Sequence, residues 1–256
     1  MNVTSADGTS IAFDQRGTGA PVILVGGAFN DRTTVAGLAE VLSTDFTTIA
    51  YDRRGRGDSG DAGAYAIERE IEDIAALIAA AGGSASVFGH SSGAVLALEA
   101  AGAGLAIDKL VAYEPPYAPD SDSRTDVTEK VRAQIAAGDR DGAAATFLEV
   151  AGTPPEMIEG MKSAPVWGWF TALAHTLPYD LEICGPGARP RTDHLARITA
   201  PTLVIGGGAS PEKLQTGARL AAEAVPGARH ETLDGQDHGV LQNPVVLRDL
   251  LVGFLK

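Results

Sequence analysis

The apolar run Ser86-Val87-Phe88 breaks into Gly89-His90-Ser91-Ser92-Gly93 and is followed at once by the helix-forming Ala94-Val95-Leu96-Ala97-Leu98-Glu99. Glycines two residues to either side of Ser91 leave room for a sharp strand-to-helix turn, in which the serine takes strained backbone geometry and its hydroxyl is lifted clear of the chain. The helix starting behind it aims unpaired backbone N–H groups at the same spot. The bland alternative is a glycine-rich turn without chemistry. Against it stand the β-branched and aromatic residues before Ser91 and the helix formers after it.

The flanking chain alternates strand and helix. Residues 1–20 read as two short strands around an Asp7-Gly8 hairpin turn. Pro21-Val22-Ile23-Leu24-Val25 is apolar throughout, the pattern of a parallel strand covered on both faces, and it exits through Gly26-Gly27-Ala28-Phe29. Helical spacing over 33–42 precedes a strand at 46–51. An amphipathic helix over 65–81 carries Ile67, Ile71, Ile74, Leu77 and Ile78 and stops at Gly82-Gly83. After the elbow come a strand at 109–113, cut off by Glu114-Pro115-Pro116, and a buried strand at 201–205 with a glycine exit. A helix over 211–225 with Pro211 as its first residue, a last strand at 229–233 and a terminal helix over 245–254 complete the pattern. The implied fold class is α/β, one doubly wound and mostly parallel sheet of about eight strands.

Between 117 and 197 the strand signal is replaced by helical segments near 125–137, 140–151, 155–162 and 166–177. Met157, Met161, Trp167, Trp169, Phe170 and Leu173 give this stretch an aromatic and apolar character that suits a cap over a pocket. Ordinary helix packing is the competing reading for each of these side chains. The expectation is a single domain, with core 1–116 and 198–256 and a helical cap over 117–197.

The turn Asp52-Arg53-Arg54-Gly55-Arg56-Gly57-Asp58-Ser59-Gly60 contains a Gly-x-Gly-x-x-Gly string. As a dinucleotide site it would need its glycines to open a helix directly and an acid to close the next strand, and neither condition holds. Its three arginines are read as a solvated loop ordering a strand end. A net charge of -13 argues against polyanionic partners such as nucleic acid. Cys184 is alone, so no intrachain disulfide or thiolate metal site can form. No metal or cofactor is implied. Without a basic head and apolar stretch at the start, or an apolar run near 20 residues, the expectation is a cytoplasmic protein acting on a small molecule away from membranes. Oligomeric state is not legible.

Taken together, these landmarks resemble the α/β-hydrolase superfamily over essentially the whole chain. Gly26-Gly27-Ala28 stands in the place of the family's oxyanion loop, with Gly26 where a His is usual. Residues 52–59 look like its Asp-x-x-Gly-x-Gly-x-Ser turn, Ser91 sits in its elbow, and His238, in Gly235-Gln236-Asp237-His238-Gly239, sits in its late His loop. The usual Asp after the strand at 202–205 is missing, because Gly207-Gly208-Ala209-Ser210 occupies that loop. A family variant places the acid after the preceding strand, where Glu114 stands; Asp234 is the alternative.

The resemblance implies a serine hydrolase of small carboxylic esters, lactones or thioesters. Ser91 would be the nucleophile, His238 its base and Glu114 the acid, with the backbone N–H groups of Ala28 and Ser92 binding the oxyanion. Phe29, His90, Trp167, Trp169 and His175 are candidate substrate contacts, although each of these histidines also has a purely structural reading. Epoxide or haloalkane hydrolysis uses a carboxylate at the elbow, where this chain has Ser91. A ligand-binding protein that keeps the fold without the chemistry is the rival from another class.

Overall fold

The computed structural model describes residues 1–119 and 124–256. Its strands are β1 (Asn2–Thr4), β2 (Ser10–Arg16), β3 (Pro21–Val25), β4 (Thr47–Tyr51), β5 (Ala85–His90), β6 (Ile107–Tyr113), β7 (Thr202–Gly207) and β8 (Arg229–Leu233). They form one sheet in the order β1-β2-β4-β3-β5-β6-β7-β8. The pairs β1–β2 and β2–β4 are antiparallel, and every pair from β4 onward is parallel.

Alternate residues of the central strands serve opposite cores, as a period of two requires. Ile23 and Val25 face one apolar cluster, with α2 (Ile67–Ala80), α3 (Ser92–Gly102) and α10 (Glu212–Ala224) packed on it. Val22 and Leu24 face the other, covered by α1 (Ala36–Leu42) and α11 (Arg248–Leu255). Every residue of β5 and of α3 is buried, which places the elbow between them at the centre of the molecule.

Between β6 and β7 lie α4 (Arg124–Ala136), α5 (Arg140–Ala151), α6 (Pro155–Lys162), α7 (Val166–Leu173), α8 (Leu177–Cys184) and α9 (Thr192–Leu195). They have their own apolar cluster, and Phe29 from the loop after β3 is buried in it.

Four expectations need correction. The helix expected over 166–177 ends at Leu173; a 3-10 turn follows and α8 then runs on to Cys184. Pro178 lies in the first turn of α8, where a missing N–H costs no hydrogen bond, so it does not stop the chain. Likewise Pro211 is the residue before α10 rather than its first, and Pro244 opens a 3-10 turn ahead of α11. The arginine turn is not solvated: Arg53, Arg54 and Arg56 are among the most deeply buried side chains.

That turn is locked by its own sequence. Asp52 accepts from the Asp58 N–H at 2.9 Å and the Arg32 N–H at 2.7 Å, and Ser59 Oγ donates to the Asp52 carbonyl at 2.6 Å. Gly57 has φ +51°, and a Cβ there would lie 2.1 Å from Asp52 Oδ2, so only glycine fits. Among the described residues no helix is long and apolar enough to cross a membrane.

Candidate active site

Ser91 caps α3 with φ 59° and ψ -127°, a conformation seldom taken by a residue with a side chain. The elbow glycines are steric requirements. A Cβ on Gly89 would sit 2.4 Å from the Gly93 carbonyl oxygen, and one on Gly93 would sit 2.5 Å from that of Val25. Gly27 is equally constrained, since its Cβ would meet the Ser91 Cβ at 2.7 Å. The loop after β3 therefore lies directly against the elbow.

Three strand ends bring Ser91, Glu114 and His238 together. Ser91 Oγ is 3.1 Å from His238 Nε2, and His238 Nδ1 is 2.7 Å from Glu114 Oε2. A carboxylate only accepts, so Nδ1 carries the proton and Nε2 is left to accept from the serine hydroxyl. Glu114 is fully buried and takes φ 46°, and its other oxygen accepts from the Gly207 N–H at 2.7 Å. The loop that lacks an Asp thus supplies a backbone donor to the carboxylate replacing it. Gly207 must be small, because its Cβ would meet the Gln236 carbonyl oxygen at 2.5 Å. Asp234 is exposed, and Glu114 rather than Asp234 is hydrogen-bonded to His238.

The proposed oxyanion donors flank the elbow. Ser92 opens α3, where a first-turn N–H has no partner within the helix. The Ala28 N–H makes no hydrogen bond among the described residues. Phe29, next along, has φ 58°, and its ring stands edge-on to Phe170 at 4.7 Å and to Phe147 at 5.4 Å. Trp169 Nε1 donates to the Phe29 carbonyl at 2.8 Å, while Trp167 lies deeper and donates to Asp141 at 2.6 Å.

Two expected substrate contacts are placed otherwise. His90 is buried beneath His238, and its Nε2 donates to the His238 carbonyl at 2.9 Å. Its Nδ1 has no partner among the described residues. Burial, and then the neighbouring His238, lower its pKa to about 3, so His90 stays neutral and serves as a strut. His175 places Nε2 2.7 Å from the Gly55 carbonyl oxygen and Nδ1 3.1 Å from that of Ala172, and the shorter contact ties the inserted helices to the arginine turn.

Sequence reading missed two contributors. Tyr113, the last residue of β6, donates its hydroxyl to the Asp237 carbonyl at 2.7 Å and stacks on His90, so the His238 loop is held from below. A tyrosine closing a buried strand looks like core. The second is a buried ion network. Arg53 pairs with Glu70 at 2.6 Å and Asp180 at 2.7 Å, Arg56 pairs with Asp180 at 2.8 Å, and Arg54 pairs with Asp73 at 2.7 Å. Burial alone would raise the Asp180 pKa, but the charges of Arg56 and Arg53 and the Ser92 hydroxyl outweigh it and hold the carboxyl below its usual range. No cluster of three or more potential metal ligands occurs among the described residues.

Comparison with known proteins identifies the family and the fold. A family model described as the alpha/beta hydrolase family matches residues 17–250. An alpha/beta hydrolase from Sphaerobacter thermophilus is 48% identical, each chain covering all of the other, with a TM-score of 0.93. A hydrolase from Pseudomonas aeruginosa is 25% identical at a TM-score of 0.78, covering 100% of this chain and 97% of that one. A thermophilic esterase from Thermogutta terrifontis shares the fold, with 23% identity, a TM-score of 0.76, and 100% and 97% coverage. A search of curated proteins finds no match. With an elbow of this geometry in a sheet of this order, and a family model spanning nearly all of it, the chain belongs to the alpha/beta hydrolase family.

Proposed function

We propose that the protein is a serine hydrolase that cleaves small carboxylic esters, lactones or thioesters through an acyl-enzyme on Ser91. The observation that carries this reading is the unbroken hydrogen-bonded chain from Ser91 Oγ through His238 to Glu114. Ser91 Oγ attacks the carbonyl carbon as its proton passes to His238 Nε2, and Glu114 stabilises the resulting imidazolium. The tetrahedral oxygen accepts from the Ala28 and Ser92 N–H groups. Collapse of this intermediate expels the alcohol or thiol, which takes the proton from His238. Water then attacks the acyl-enzyme with His238 as base, releasing the acid and restoring Ser91.

The inserted helices act in this reading as a cap, with Phe29 and Trp169 forming the apolar wall beside the oxyanion donors. Epoxide opening is disfavoured because the elbow carries a hydroxyl rather than a carboxylate. The test is hydrolysis of p-nitrophenyl butyrate. Ser91→Ala is expected to lower kcat by about 10⁴-fold or more. Full turnover by that variant sinks the reading.

A further inference from the structure

Asp180, on α8, is fully enclosed and faces both halves of the proposed oxyanion hole at once. Its Oδ1 accepts from Ser92 Oγ at 2.7 Å, Arg53 Nη1 at 2.7 Å and Arg56 Nη2 at 2.9 Å, and its Oδ2 accepts from Arg56 Nη2 at 2.8 Å. The same guanidinium groups grip the loop after β3 by its carbonyls. Arg56 Nη1 donates to Gly27 at 2.5 Å and to Asn30 at 3.1 Å, and Arg53 Nη1 to Gly26 at 3.3 Å. In a planar trans peptide the C=O and the following N–H point in opposite directions. Holding the Gly27 carbonyl against Arg56 therefore turns the Ala28 N–H the other way.

We propose that Asp180 is a positioning residue that sets both backbone donors of the oxyanion hole, the Ala28 N–H through Arg56 and the Ser92 N–H through the Ser92 hydroxyl. The inference rests on the serine hydrolase reading and deepens it. Its charge balance explains the choice of side chain: Arg53 and Arg56 are offset by Glu70 and Asp180, and a neutral side chain at 180 would leave a buried cation short of a partner. Because the carboxylate comes from the inserted helices and the donors from the sheet, docking of α8 and competence of the hole become one condition.

The experiment measures p-nitrophenyl butyrate hydrolysis by the full chain together with inhibition by a pentyl trifluoromethyl ketone, whose carbonyl is attacked by Ser91 to give a tetrahedral oxyanion. The matching secondary alcohol, which has no carbonyl, is the ground-state control. Asp180→Asn is expected to lower kcat about 100-fold and Ser92→Ala about 10-fold, as for donors displaced by a fraction of an ångström, with KM nearly unchanged. The ketone should weaken in step with kcat/KM, while the alcohol binds all forms alike and the pH profile keeps its shape. If Asp180→Asn does not fold, Ser92→Ala and Arg56→Lys decide.

Folded variants with wild-type kcat and ketone affinity overturn the inference and leave the hydrolase reading intact. So does an equal loss of ketone and alcohol binding, which is what a merely structural role produces. A wild type that neither hydrolyses the ester nor binds the ketone overturns both.

Discussion

In the proposed mechanism Glu114 takes, at the residue scale, the part that the resemblance gives to an Asp one strand later. Its two oxygens are divided between His238 and the Gly207 N–H. Replacing Glu114 with Gln preserves shape but offers His238 the wrong tautomeric partner, so kcat on p-nitrophenyl butyrate should fall by about 10⁴-fold. Asp234→Asn should leave it unchanged; the reverse result reassigns the acid. His90 makes a separate prediction. In the unfolded chain it titrates near 6.5 and in the folded protein near 3, so between those values only the unfolded state takes up a proton. Its contribution is complete above pH 6.5 and declines as pH falls toward 3, by up to about 1.4 kcal/mol per pH unit. Urea unfolding of His90→Gln should show a shallower loss between pH 6.5 and 4 than wild type, and an identical slope contradicts the assignment. Ser91, Glu114 and His238 are legible in the sequence because glycines and prolines mark the strand ends that carry them. Asp180 carries no such mark, since a carboxylate on a helix of mixed polarity reads as solvated.

Among elements, α3 does most to constrain the site. It is buried along its whole length and approaches β3 so closely that Gly93 lies against the carbonyls of Val25 and Gly26. Backbone cannot yield as a flexible side chain can. Gly93→Ala should therefore destabilise the protein by about 1–3 kcal/mol in urea unfolding and lower kcat with it, whereas a neutral outcome refutes the steric account of the elbow. Strands β3, β5, β6 and β7 are legible because burial on both faces forces continuous apolar runs. The start of α8 is not, because Pro178 in its first turn looks in sequence like a breaker, whereas the helix expected over 211–225 is found at Glu212–Ala224.

Across the whole molecule, the sheet and the inserted helices are joined through buried charge. Arg53 meets Glu70 from α2 and Asp180 from α8, while Tyr65 stacks flat on Tyr179 with ring centres 3.9 Å apart. Removing one partner leaves an uncompensated cation, so Glu70→Gln should cost about 3–5 kcal/mol. The exposed Arg16–Glu40 pair is the internal control, and Glu40→Gln should change stability by less than about 1 kcal/mol. Equal effects at the two sites contradict the role given to the network. The α/β alternation is visible in apolar spacing, but this junction is not, because residues more than a hundred positions apart must be paired before their charges can be seen to cancel.

The proposed mechanism centres on one oxygen atom, Ser91 Oγ. Treatment of the folded protein with a fluorophosphonate, followed by digestion and mass spectrometry, reads that atom directly. A single adduct on the peptide containing Ser91, lost in Ser91→Ala and sharply slowed in His238→Ala, is the predicted result. Folded wild-type protein that remains unlabelled, or carries its label at another residue, contradicts the account.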